Sequence, residues 1–197
     1  MIRTAKQEDV GDIVTVHMHS FEQFFLTFLG PRFLTALYKH TLSLPEAIGF
    51  VAIDDTNRLV GFVVGVTSQS GLYRKLLNES WFDFALASVL PVLRRPTIVP
   101  RLLRALNKPQ SATQSVADCV LMSIAVLPKA QGAHWGRLLV QSFLAEAQQR
   151  GVVSVSLTTD RDNNERANDF YQRLGFSLAR SFSTAEGRPM NEYVINM

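Results

Sequence analysis

The sequence predicts a mixed α/β (α+β) domain in which a central sheet is flanked by helices, and three observations predict it. Over 197 residues, 47% are apolar and 19% charged, a globular composition on a chain long enough to bury a substantial core. Short β-rich runs near 2–5, 48–53, 59–67, 120–127, 152–159, 176–182 and 192–197 are interleaved with segments of helical periodicity. The stretch VLMSIAVLPKAQGAHWGRLLV, residues 120–140, passes from an apolar strand through Pro128 into a small-residue turn and then into a helix. One domain over 1–197 with a helical insertion at about 71–110 is the organisation expected.

In order, 2–5 is a short opening strand, and a helix is predicted over about 10–20 after a polar, acidic start. A Gly30-Pro31 breaker precedes Phe33, Leu34, Leu37 and Tyr38, whose spacing predicts a helix opening at or near Pro31. The runs 48–53 and 59–67, separated by Asp54-Asp55-Thr56-Asn57-Arg58, read as a hairpin. Gly61 and Gly65 inside its second strand mark a bulge or a close backbone approach. Residues 71–109 hold prolines at 91, 96, 100 and 109 and read as two or three helices broken at them.

A polar linker at 111–115 leads to the organising strand, and its helix, starting near Arg137, runs to about Arg150 and stops at Gly151. Then come a strand at 152–159, a polar turn Asp160-Arg161-Asp162-Asn163-Asn164, and a short helix over 165–174 closed by Gly175. A hairpin with its turn at 186–189 ends the chain.

Composition also narrows the function. One cysteine, Cys119, excludes an intrachain disulfide framework, and its apolar neighbours point to a buried thiol rather than a nucleophile. The polar N-terminus lacks the apolar core of a signal peptide, which makes the cytoplasm the expected location. No run reaches the ~20 apolar residues of a spanning helix. Net charge is +3, but 70–110 carries seven Lys/Arg against two acids, so that segment is +5 and the remainder −2. Nucleic acid is not expected as a partner, because such proteins carry a larger overall excess. Helices packed on the sheet are the expected role of 71–110, with contact to a membrane surface or an apolar substrate as the alternative. No metal is expected: His17 and His19 lie two apart, on different sides of a helix, and there is no Cys/His cluster.

The turn Gln131-Gly132-Ala133-His134-Trp135-Gly136 is the first candidate site. The unpaired N–H groups and positive dipole end of a helix's first turn hold a phosphate without basic side chains, and Gly132, Ala133 and Gly136 allow close approach.

These residues, followed about thirty positions later by N-E-R-A-N-D-F-Y-Q-R-L-G-F at 164–176, resemble the GCN5-related N-acetyltransferase (GNAT) family. The first half is similar to its acetyl-CoA signature, Q/R-x-x-G-x-G/A after a strand ending in V-x-P. The second is similar to its N-x-x-A-x-x-x-Y-x-x-x-G-F element. The resemblance is tight over 122–176 and looser elsewhere. It implies a GNAT-like mixed sheet, largely antiparallel, with a splayed parallel pair at the cofactor site.

It further implies an acetyl-CoA-dependent N-acetyltransferase, with acetyl-CoA as co-substrate and an amine acceptor as second partner; a homodimer is compatible with it. The coenzyme's pyrophosphate would lie on residues 131–136 and its pantetheine arm along Ile124, Ala125 and Val126, with Ser123 near the acetyl group. Asn164 would bond the pantetheine arm or order the helix start, and Tyr171 would be the catalytic acid that protonates the departing thiolate.

Two departures from the family pattern stand out. His134 occupies a glycine position, so a positive φ there carries mild strain; its imidazole either meets a coenzyme phosphate or is an exposed turn residue. The strand also lacks the acid that many relatives use as base. His17, His19, Asp118 and Asp160 are base candidates by chemistry alone, and solvent is the remaining one. The competing function is an acyl-CoA-binding sensor or scaffold of weak catalytic power. The acceptor itself, whether a small amine, an amino sugar or a protein amine, is left open.

Overall fold

The computed structural model of the chain describes residues 1–21, 24–67 and 117–197. The predicted insertion at 71–110, with its basic face, and the linker at 111–115 lie outside the described residues. The elements, numbered among the described residues, are β1 (Ile2–Thr4), α1 (Val10–Ser20), α2 (Phe25–Phe28), α3 (Gly30–Leu42), β2 (Ala47–Ile53), β3 (Leu59–Val66), β4 (Cys119–Val126), α4 (Trp135–Gln149), β5 (Ser154–Asp160), α5 (Glu165–Arg173), β6 (Ser177–Ser183) and β7 (Pro189–Asn196). Single 3-10 turns at Gln7–Asp9 and Pro128–Ala130 precede α1 and α4.

Among the described residues the strands form one seven-stranded sheet in the order β1-β2-β3-β4-β5-β7-β6. Every neighbouring pair is antiparallel except β4 and β5, which run parallel. This is the mixed sheet with one parallel pair that the family resemblance implies.

Two apolar layers sandwich it. On one face, α4 and α5 pack Leu139, Val140, Phe143 and Tyr171 on Ile48, Val63, Leu121, Val155 and Leu157. On the other, α1 and α3 pack Val10, Ile13, Val14, Leu34 and Tyr38 on Val51, Phe62, Val64 and Ala125. Burial of side chains as large as Phe62, Phe143, Leu34 and Leu139, each contributing roughly 1.5–3 kcal/mol, fixes the helices on the sheet.

The N-terminal corner is tied by charge. Arg3 grips both carboxylate oxygens of Asp9 at 2.7 Å, and the Lys6 N–H donates to the same carboxylate at 2.8 Å. Those bonds hold the Asp9 carboxyl below the usual carboxylate range despite its burial.

The helix predicted over 10–20 is α1, and the helix predicted at Pro31 begins one residue earlier, with Pro31 in its first turn. Helix α4 begins at Trp135, two residues before the predicted start, because left-handed His134 serves as its N-cap. The short α2 was not foreseen: four residues are too few to show a period.

Both glycines singled out in β3 are close-approach positions. A Cβ at Gly61 would stand 2.9 Å from the Ala125 carbonyl oxygen, and the pairing of β3 with β4 shifts register between Val64 and Gly65.

Candidate functional site

That register shift builds the site. Val64 pairs with Ser123 and Gly65 with Leu121, so Met122 is the extra residue of a β-bulge in β4. A strand alternates faces with period two, and one extra residue reverses the alternation. Before the bulge, Cys119 and Leu121 face α4; beyond it, Ala125 packs in the α1/α3 layer and Ile124 and Val126 pack against the α4 layer.

The bulge bends β4 away from β5. The two strands share the pairs Cys119↔Val155 and Val120↔Ser156 and no other, although β4 continues to Val126 and β5 to Asp160. The far edges are occupied, β4 by β3 and β5 by β7. Among the described residues the two facing edges therefore open as a V, lined on the β4 side by the backbone of Ser123, Ile124, Ala125 and Val126. An extended amide-bearing chain can complete the ladder there, as a strand does when added to a free edge.

The mouth of the V meets the turn before α4. Gly132 at φ 94° and His134 at φ 59° alternate with Ala133, turning successive N–H groups to one side. Among the described residues, the N–H groups of residues 132–137 have no acceptor, and the first bond of the helix runs from Leu138 N–H to the His134 carbonyl. Gln131, Gly132, Ala133 and His134 are exposed, Trp135 and Gly136 half-buried. No acidic residue occupies the first turn of this 15-residue helix, so its positive end is uncompensated. These residues fit a pyrophosphate by donor count, close approach and sign of field. His134 adopts the positive φ that its glycine position demands.

Tyr171 projects from α5 into the core cluster that includes Cys119 and Leu121 of β4 and Val155 and Leu157 of β5, the residues at and beside the vertex. Its ring packs 6.0 Å from that of Phe176 and 6.2 Å from that of Tyr193. Burial pushes the phenol up to about 12, so it is fully protonated at neutral pH. Cys119 is buried at the vertex and pushed up to about 12 by the same desolvation, the inert thiol expected from sequence.

Asn164 precedes α5, and its amide donates to Thr159 Oγ1 at 2.7 Å and to the Asp160 carbonyl at 3.1 Å instead of capping the helix. It ties the helix start to the end of β5. Asn168, which the sequence reading did not single out, is the hub of this region. Its amide donates to the carbonyls of Asn164 at 2.8 Å and Asp160 at 3.0 Å, while its oxygen accepts from Asn191 at 3.0 Å and Tyr193 at 2.9 Å. Its sequence signal, one polar residue in a largely polar helix, is weak by itself.

The base candidates resolve differently. Asp160 accepts both arms of the Arg188 guanidinium, which also stacks 4.7 Å from the centroid of Phe24. Asp118 accepts from Ser154 Oγ at 3.2 Å beside the N-terminal end of β4. His19 is exposed, with Nδ1 2.8 Å from the Thr15 carbonyl of its own helix. His17 is buried beneath β3 and bonded to Tyr38 at 2.7 Å, and burial lowers its pKa to about 4. Sequence spacing thus separates His17 from His19 correctly, and no group of three or more His, Cys, Asp or Glu side chains gathers as a metal site among the described residues. No helix among them is long and apolar enough to cross a membrane.

Comparison with known proteins agrees with this fold. The chain is 31% identical over 113 residues to the mycothiol acetyltransferase of Renibacterium salmoninarum; the match covers 57% of this chain and 32% of that protein, about a third of its length. Among solved structures, the histone acetyltransferase HPA2 and related acetyltransferase of Corynebacterium glutamicum superposes with a TM-score of 0.64 at 19% identity, covering 98% of this chain and 94% of that one. The ribosomal-protein-S18-alanine N-acetyltransferase of Escherichia coli gives 0.61 at 14%, covering 100% and 92%. The Drosophila melanogaster polyamine N-acetyltransferase gives 0.63 at 15%, covering 100% and 99%. At such identities these structures show the shared fold. The sequence profile of the acetyltransferase (GNAT) family matches residues 15–176, most of the chain, and to that family the chain belongs.

Proposed function

We propose that this protein is an acetyl-CoA-dependent N-acetyltransferase that moves the acetyl group directly to a primary amine within a ternary complex. The observation that carries the reading is the V between β4 and β5 opening onto the unpaired amides of residues 132–137: one continuous run of backbone donors and acceptors, as an amide-bearing pyrophosphate ester requires.

In this reading the turn before α4 holds the pyrophosphate, and the edge of β4 from Ile124 to Val126 holds the pantetheine amides, which brings the thioester beside Ser123, toward the vertex. A neutral acceptor nitrogen attacks the thioester carbon; a C–N bond forms and the C–S bond breaks. Tyr171 gives its proton to the departing sulfur and regains one from solvent, while the nitrogen releases the proton that balances it. Holding both reactants together is the largest contribution such a site makes. Asp160, Asp118 and the two helix histidines are committed to other partners or lie away from the vertex, so water takes the proton from the acceptor ammonium.

The test is acetyl-CoA titration by calorimetry, followed by thiol release with a panel of amines, amino sugars and peptides. Tyr171→Phe should lower turnover by roughly 100-fold while leaving coenzyme affinity within twofold. Binding of acetyl-CoA with transfer to none of the panel would favour the sensor reading, which the lack of a free carboxylate among the base candidates supports.

A further inference from the structure

The bulge at Met122 has a second effect besides opening the V. It turns the Ser123 side chain onto the α1/α3 face, opposite to Tyr171, where Tyr38 of α3 donates its hydroxyl to Ser123 Oγ at 3.2 Å. Behind it, His17 Nδ1 of α1 lies 2.7 Å from the Tyr38 hydroxyl. Three polar groups thus run in file from the core to β4, and they differ sharply in access. His17 is 4% exposed and Tyr38 3%, whereas Ser123 is half-buried on the strand that lines the V.

The file is costly where it stands. It lies in the apolar layer of Val14, Val16, Leu34 and Phe62, and among the described residues His17 Nε2 is buried with no hydrogen-bond partner. An unpaired buried polar group costs roughly 1–3 kcal/mol, which an aliphatic residue at position 17 would avoid. The outlet of the file is the Ser123 hydroxyl on the arm of β4 just beyond the vertex.

The proton order along the file follows from the unpaired nitrogen. A buried lone pair without a donor is tolerated better than a buried N–H without an acceptor. His17 is therefore the Nδ1–H tautomer: Nδ1–H donates to Tyr38, the Tyr38 O–H donates to Ser123 Oγ, and the Ser123 O–H is left to point outward. The imidazole stays neutral at physiological pH, because burial holds its pKa at about 4. Its neighbours are Tyr38 from α3, Phe62 from β3 and Phe21 beyond its own helix, none of them charged at that pH.

A serine hydroxyl whose oxygen already accepts a bond from a rigid, buried donor keeps its proton out of that direction and turns it toward the remaining ones. It is a restricted donor, and a donor serves the atom on which negative charge develops. We infer that the Ser123 O–H stabilises the oxyanion that forms on the thioester carbonyl during transfer, and that Tyr38 and His17 are positioning residues that hold it in that direction. The inference rests on the acetyl-transfer reading and deepens it: the strand would supply a side-chain donor on the face where it offers no acid. Because such a bond is made only as charge develops, its loss lowers kcat and kcat/KM together and leaves ground-state binding alone.

The experiment compares the wild-type protein with Ser123→Ala, Ser123→Thr, Tyr38→Phe and the Ser123→Ala/Tyr38→Phe double variant, using acetyl-CoA and whichever amine of the panel the wild type acetylates. Ser123→Ala should lose roughly 100-fold in kcat, with the KM for the amine and the Kd for acetyl-CoA within about twofold of wild type, which also shows that the variant is folded. Ser123→Thr, which keeps a hydroxyl, should recover most of the rate. Tyr38→Phe should lose less than Ser123→Ala, and the double variant should be no slower than Ser123→Ala, since an unoriented hydroxyl is lost only once. Losses that multiply, or a raised amine KM at unchanged kcat, overturn the inference. A wild type that acetylates while Ser123→Ala is equally fast overturns it alone; a wild type that binds acetyl-CoA but acetylates nothing overturns the transfer reading and this inference with it.

Discussion

A Cβ placed on Gly65 would stand 2.3 Å from the carbonyl oxygen of Val120, the residue at which β4 makes its last pair with β5. The opposing atom is backbone, and the Phe143 ring closes the other side at 2.6 Å, so no side chain can swing away. Gly65→Ala must therefore push β3 and β4 apart at the bulge. The expected cost is about 2–3 kcal/mol, read as a lowered denaturant midpoint. Acetyl-CoA affinity should fall as well, because the mutation disturbs the strand that flanks the V.

Asn168 carries a different kind of stability. Its replacement by Ala removes the acceptor of the Asn191 amide and the Tyr193 hydroxyl, both buried, and releases the carbonyls of Asn164 and Asp160. Leaving the Asn191 amide and the Tyr193 hydroxyl without their acceptor costs about 3 kcal/mol, while the Asn164 and Asp160 carbonyls keep other donors. Chemical denaturation checks the magnitude. Faster amide exchange confined to α5 and the turn before it should accompany the loss.

His17 links stability to pH. Its pKa is about 4 in the fold against 6.5 for an unperturbed imidazole, and desolvation is the cause. Between those values the unfolded chain binds a proton that the folded chain does not, so stability rises with pH across the window and is lost as pH falls from about 6.5 to about 4. The loss is on the order of 3 kcal/mol. A His17→Phe variant should show a flatter pH dependence of unfolding free energy over that window; equal slopes in the two proteins would refute the assignment.

His134 holds φ at 59° without being glycine. His134→Gly removes the left-handed penalty and adds chain entropy to the unfolded state, for a net gain of about 0.5 kcal/mol. With the amides of the turn as the proposed phosphate donors, the variant should keep acetyl-CoA affinity within about threefold. Calorimetry checks this, and a tenfold loss would assign the imidazole to a coenzyme phosphate instead.

The sequence by itself determined the local elements, including the turn before α4 on which the proposed coenzyme site is built. Helix 10–20, the hairpin closed at residues 54–58, the turn before α4 and the Gly151 and Gly175 stops follow from periodicity and turn chemistry, which act over a few residues. Only the tertiary structure decided which face Ser123 occupies, because that depends on one extra residue at Met122 seen against β3. It alone joined His17, Tyr38 and Ser123, which are 21 and 85 positions apart in the chain, and made Asn168 a hub between α5 and β7. Pattern along a chain reports on neighbours in sequence; a hydrogen-bond file through a core depends on how separate elements pack, and no single segment encodes it.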